Sequence, residues 1–222
     1  MLKRILIFAC LFLAILKLDA QDLFKSSTYI GINAGINICR VSFTPSVEQN
    51  LLTDMQAGLV FRHISEPHIG LQIEVNYAGK GWTENRDSIG LYTRNLKVIN
   101  LPVMAVFIIG SKTFRFSFLL GPYGSYLRSE SETIDIPGYQ TITNPLTTQY
   151  LPYYGKPLEN KLEFGFVGGL GFELYTKIGV FGIRATYSHS LTNLFPLNAS
   201  EFYYNASRSQ ALQAGLTYFI QL

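Results

Sequence analysis

The sequence predicts an all-β protein, an eight-stranded antiparallel up-and-down transmembrane β-barrel. Three observations carry this expectation. Apolar residues recur at every second position in eight separate segments. The connections between these segments alternate short and long. Beyond the first 20 residues no apolar run reaches the roughly 18 residues that a membrane-spanning helix needs.

A period of two marks a strand whose faces meet different surroundings. The first segment covers residues 29–38, with Ile30, Ile32, Ala34, Ile36 and Ile38 on one face and Gly31, Asn33, Gly35 and Asn37 on the other. The second, about 55–63, sets Ala57, Leu59 and Phe61 against Gln56, Gly58, Val60 and Arg62. The third, 69–79, is the clearest: Ile69, Leu71, Ile73, Val75 and Tyr77 oppose Gly70, Gln72, Glu74, Asn76 and Ala78. In the fourth, about 96–109, Asn100 and Pro102 blur the pattern. Proline cannot donate to a ladder, so a bulge or a gap is expected there. The fifth, 114 to about 126, alternates Phe114, Phe116, Phe118 and Leu120 with Arg115, Ser117, Leu119 and Gly121. The sixth, 162–175, and the seventh, 181–188, set large apolar residues against Gly165, Gly169, Gly171, Glu173, Gly182 and Arg184. The eighth, 212–222, alternates Leu212, Ala214, Leu216, Tyr218, Ile220 and Leu222 with Gln213, Gly215, Thr217, Phe219 and Gln221.

Residues 1–20 read as a signal peptide, and residues 21–222 as one barrel domain. Lys3 and Arg4 precede an apolar run from Ile5 to Leu16, and Ala20 is a small residue before the expected cut. Cleavage would remove three of 18 basic and one of 15 acidic residues, leaving 15 against 14, a net of +1. Nothing in this balance marks a nucleic-acid binder, which would carry a basic patch. Cys39 would be the single mature cysteine, so no intrachain disulfide can form. Charged residues make up 15% of the chain and hydrophobic ones 48%, a charge content well below the usual quarter.

The tight connections fall near 65–67, 110–112 and 176–177, and the long ones near 42–54, 80–95, 127–160 and 191–208. Turns at one end and loops at the other are the layout of an outer-membrane barrel. The apolar faces of eight strands together would far exceed what a soluble monomer exposes. Lipid can solvate that belt. The glycine-rich polar face suits a narrow lumen filled by side chains. A soluble β-sandwich is the alternative, but its loops need not alternate in length.

Three stretches carry a resemblance: Leu71-Gln72-Ile73-Glu74-Val75-Asn76-Tyr77 followed by Lys80-Gly81; Leu96 to Pro102, ending Asn100-Leu101-Pro102; and Leu120-Gly121-Pro122-Tyr123-Gly124-Ser125-Tyr126-Leu127. With these the chain resembles the outer-membrane β-barrel domain family whose members are called porin-like or PorT-like. The resemblance implies the fold and a place as a multi-pass protein in the outer membrane of a Gram-negative-type bacterium. Family members often carry an acid before Leu-Pro or Ile-Pro on strand four, where this chain has Asn100.

Arg62, Glu74, Arg115, Glu173 and Arg184 are expected to form a polar network in the lumen, because buried charges need partners. The other reading is a conduction path. Tyr139, Tyr150, Tyr153, Tyr154, Tyr203 and Tyr204 lie in the two longest loops and offer contact area for a partner. They could equally pack the loops onto the rim. His189 is the one histidine near the loop end, but Ser188 and Ser190 adjoin it and would point to the opposite face, which argues against a hydrolase. No metal-ligand cluster, phosphate loop or cofactor motif is present in the sequence, and no enzymatic activity is expected. The expected partners are outer-membrane lipid, the barrel-assembly machinery, and an envelope protein or extracellular ligand. A narrow diffusion pore is the main alternative, and a lipid hydrolase the lesser one.

Overall fold

The computed structural model describes residues 26–86, 90–135, 155, 157–158, 160–195 and 206–222. Eight strands follow one another around a ring: β1 (Ser27–Thr44), β2 (Leu52–Glu66), β3 (Ile69–Arg86), β4 (Gly90–Gly110), β5 (Phe114–Asp135), β6 (Leu162–Thr176), β7 (Gly179–Ser190) and β8 (Ala206–Gln221). Each pairs antiparallel with the next, and β8 pairs with β1 from Tyr29↔Gln221 to Thr44↔Ala206. Closure matters physically, because an open edge in hydrocarbon would leave a row of backbone groups unpaired.

The alternation sorts side chains as the pleat requires. Ile32 and Ile36 are exposed on the outside while Asn33 and Asn37 are buried inside. Leu59, Val75, Leu120, Ile183 and Leu216 continue the outer belt, and Leu120 and Leu216 are 65% and 64% exposed. Such exposure suits lipid, not water.

Three turns close one end, where β1 also begins and β8 finishes. At one of them Lys177 and Ile178 link β6 to β7. Gly179 takes φ 144° there, a conformation that side-chain-bearing residues rarely adopt, and Thr176 Oγ1 donates to its carbonyl at 2.7 Å.

At the opposite end the strands are longer than the alternation implied. The expected loop over 80–95 is instead a continuation of the β3–β4 hairpin, paired through Gly81↔Asn95 and Trp82↔Arg94 as far as Arg86↔Gly90. β5 likewise runs to Asp135. A membrane-crossing strand needs only about 9–11 residues, whereas β4 has 21 and β5 has 22. Roughly half of each therefore rises above the apolar belt as a turret.

Of the bulge or gap expected at Pro102, the structure has the gap. Glu74/Pro102 and Val75/Leu101 are missing from the β3–β4 ladder without a change of register, as a residue lacking an N–H dictates. Higher up, Lys97↔Ser129 and Val98↔Leu127 leave Arg128 as an extra residue. This bulge flips the facing of the rest of β5, so that Glu130 and Glu132 turn inward.

The interior is less polar than the alternation implied. Near the turns, Val60, Ile64, Met104, Val106, Ile108, Val180 and Phe219 form a buried apolar cluster. A belt of buried amides, hydroxyls and ion pairs lies above it. A second apolar cluster, built around Phe43, Trp82, Tyr92, Leu158, Leu194 and Phe195, fills the turret. β4 is apolar on both faces near the turns, which is why its period is weak there.

Candidate functional site

The polar belt is a connected chain that crosses the lumen. Arg62 on β2 donates from Nη1 to both carboxylate oxygens of Glu173 on β6, at 2.7 and 2.9 Å. Its Nε donates to Gln72 Oε1 at 2.7 Å. Gln72 Nε2 donates in turn to Glu74 Oε1 at 2.5 Å. Glu74 then takes two bonds from Arg184 on β7, the one from Nη2 at 2.7 Å. Asn76 Nδ2 adds a bond to Glu74 at 2.8 Å. Four strands are thereby tied through their side chains. Arg62, Gln72, Glu74 and Glu173 are all buried, and buried charges persist when paired and hydrogen-bonded in this way.

Arg115 stands apart from these pairs. It lies directly opposite Glu173 in the β5–β6 register, yet that carboxylate goes to Arg62. The Arg115 guanidinium instead sits 4.1 Å from the centre of the Tyr175 ring, and its Nε donates to the Ser111 carbonyl at 3.3 Å. It lines a pocket at the turn end with Tyr29, His68 and Lys112.

Two further charge clusters lie outside the five residues expected in the lumen. Lys80 Nζ pairs with Glu163 Oε1 at 2.8 Å, and Tyr123 donates to the same oxygen at 2.6 Å. The parity of Lys80 with Gln72 and Glu74, and of Glu163 with Gly165 and Glu173, was the signal that could have placed them inside. In the turret, Arg94 is clamped by Glu130 at 2.6 Å and Glu132 at 2.8 Å. No periodicity could foretell that contact, because the bulge at Arg128 creates it.

The turret is stiffened by aromatic packing. The Trp82 ring meets Phe43 edge-on at 5.5 Å between centroids and Phe195 at 6.4 Å. Trp82 Nε1 donates to Glu84 at 2.8 Å. Burial among these rings raises the pKa of the Tyr92 phenol. The neighbouring loops are tied down by side chains: Leu158 N donates to Glu130, and Phe195 N to Ser207 Oγ, both at 3.0 Å.

Tyr139, Tyr150, Tyr153, Tyr154, Tyr203 and Tyr204 lie outside the described residues, as does the expected leader over 1–20. Ser188 and Ser190 are buried inside the barrel. The His189 ring lies on the other face, where Gln210 Nε2 approaches its Nδ1 at 3.3 Å.

The family described as outer membrane protein beta-barrel domain matches residues 20–196. None of the curated proteins matches the chain. Several solved structures are similar. The outer membrane protein OprG from Pseudomonas aeruginosa is 14% identical, with 88% of this chain and 97% of that chain covered and a TM-score of 0.48. Neisserial surface protein A is 10% identical, with 88% and 99% covered and a TM-score of 0.43. Ail, the attachment invasion locus protein of Yersinia pestis, is 12% identical, with 86% and 98% covered and a TM-score of 0.42. With a family match over most of its length and a closed eight-stranded ring, this chain belongs to the outer-membrane β-barrel domain family and resides in the outer membrane.

Proposed function

We propose that this chain is a non-conducting, non-enzymatic barrel that holds a binding platform at the cell surface. The observation that carries the reading is the side-chain chain from Glu173 through Arg62, Gln72 and Glu74 to Arg184, spanning a lumen with apolar clusters below and above it. An eight-stranded lumen is just wide enough for side chains to fill. Conduction would require ions to displace buried, doubly bonded charge pairs. The turret then supplies a rigid base for the loops that carry Tyr139, Tyr150, Tyr153, Tyr154, Tyr203 and Tyr204. Tyrosine offers contact area at low conformational cost. The partner would be an envelope protein or an extracellular ligand, and the barrel-assembly machinery would insert the chain.

Two measurements test this. In planar bilayers the purified protein should give no steady single-channel current; steady currents would establish the diffusion pore instead. In a pull-down from native membranes, replacing the six loop tyrosines by serine should remove captured partners that the unaltered chain retains. An identical captured set would sink the platform reading.

A further inference from the structure

On strand after strand the outward row changes from apolar to basic at one level. On β1 it passes from Ile38 to Arg40, on β8 from Leu212 through Gln210 to Arg208, and on β7 from Tyr187 to His189. On β5 it passes from Tyr126 to Arg128, and on β4 from Ile99 to Lys97. Among the described residues at this level, Glu130 and Glu132 turn inward to Arg94, and Asp54 neutralises Lys97 at 2.5 Å.

Across β1, β8 and β7 the polar groups form one row. Arg40 and His189 both lie directly opposite Gln210 in register. Arg40 Nε donates to Gln210 Oε1 at 2.8 Å. With His189 Nδ1 accepting from the Gln210 amide, a neutral ring carries its proton on Nε2. Arg208 stands one outward position above Gln210. Among the described residues, no carboxylate forms an ion pair with Arg40 or Arg208. The row is a set of donors at the lipid boundary that has no anionic partner among the described residues.

Beneath this end of the barrel the apolar belt is indented. Small residues at Ala34, Ala57 and Ala214 line a trough of about 620 Å³ together with Ile36, Met55 and Leu216, and the Asp54–Lys97 pair borders it as well. Ala214 lies four residues below Gln210 on the same strand, about 13 Å at 3.3 Å per residue. That separation matches a headgroup at the polar boundary with its chain running down into hydrocarbon.

We infer that Arg40, Gln210, His189 and Arg208 form a site for the phosphate headgroup of an outer-leaflet lipid, one acyl chain of which lies in the trough over Ala34 and Ala214. The guanidinium groups supply charge-assisted bonds to phosphate oxygens. Gln210 holds Arg40 and His189 in place. The site lies on the lipid-facing wall and is independent of the loop platform proposed above.

Native mass spectrometry of the purified full chain, titrated with diphosphoryl lipid A, tests the site. The chain should retain one lipid. Arg40→Gln combined with Arg208→Gln should weaken retention about thirtyfold, at about 1 kcal/mol per basic residue near a membrane surface. Ala214→Leu, which fills the trough, should weaken it as well. Lys112→Gln combined with Lys177→Gln removes equal charge at the turn end and should leave it unchanged. Migration as a folded barrel on an unheated gel confirms that each variant is intact. Unchanged retention in the double arginine variant would overturn the site. So would equal retention of the same lipid stripped of phosphate. Displacement by millimolar inorganic phosphate would also overturn it, by showing a site for the free anion and not for a lipid.

Discussion

Along the outside of β4, Ile109, Phe107, Ala105, Val103, Leu101 and Ile99 face lipid in the lower barrel, whereas Lys97, Asn95 and Thr93 face outward in the turret. The inside of the same strand changes far less: Ile108, Val106 and Met104 are buried below, and Val98, Leu96, Arg94 and Tyr92 are buried above. Both regions have packed interiors that hold apolar groups and satisfied ion pairs. What changes is the solvent outside. In lipid the outer row must be apolar; in water it is free to be polar, and the turret follows the rule of an ordinary soluble domain.

The comparison can be broken most sharply at the lumen pairs. Glu173→Ala strands the Arg62 guanidinium inside the lower barrel. The loss should be about 3–5 kcal/mol, read as a lower urea midpoint for the whole barrel. Trp82→Ala opens a cavity in the turret at a comparable local cost, about 3 kcal/mol. Here the effect should be confined: protease should cut the upper hairpin while the lower barrel still migrates as a folded species. Loss of the whole barrel would show that the two regions unfold as one.

Two charge substitutions sharpen the contrast on the outside. Leu216→Arg, midway along the lipid-facing row of β8, should cost about 2–4 kcal/mol in unfolding from lipid vesicles. Asn95→Arg, on the outward row of the turret, should change stability by no more than about 0.5 kcal/mol. Equal effects would mean that the apolar boundary does not fall between Lys97 and Ile99.

The same contrast explains what is legible in the sequence. In the lower barrel, Leu71, Ile73 and Val75 alternate with Gln72, Glu74 and Asn76 because the two faces differ in solvent, so strand and facing were both legible. Above Gly79 the inward row becomes Trp82 and Glu84, and the outward one Gly81 and Thr83. Glycine and threonine between larger residues read as a loop, yet these residues pair as the upper hairpin. Gly79 has a separate role. The Asp54 carboxylate reaches across it toward Lys97, and a Cβ there would strike that carboxylate.

Sequence alone determined the strand number, the turn end and the lipid-facing row, because each is a local property repeated every second residue. It also marked Arg62, Glu74, Glu173 and Arg184 as lumen residues by parity. Their partners were decided by tertiary structure. Arg62 and Glu173 are 111 residues apart and Arg184 and Glu74 are 110 apart, and only the stagger of a closed barrel sets which of them meet. Arg115 shows the reason plainly. Its register neighbour is Glu173, but the carboxylate bonds to a guanidinium arriving from β2, because side chains in a narrow lumen pair across the space as well as along the wall.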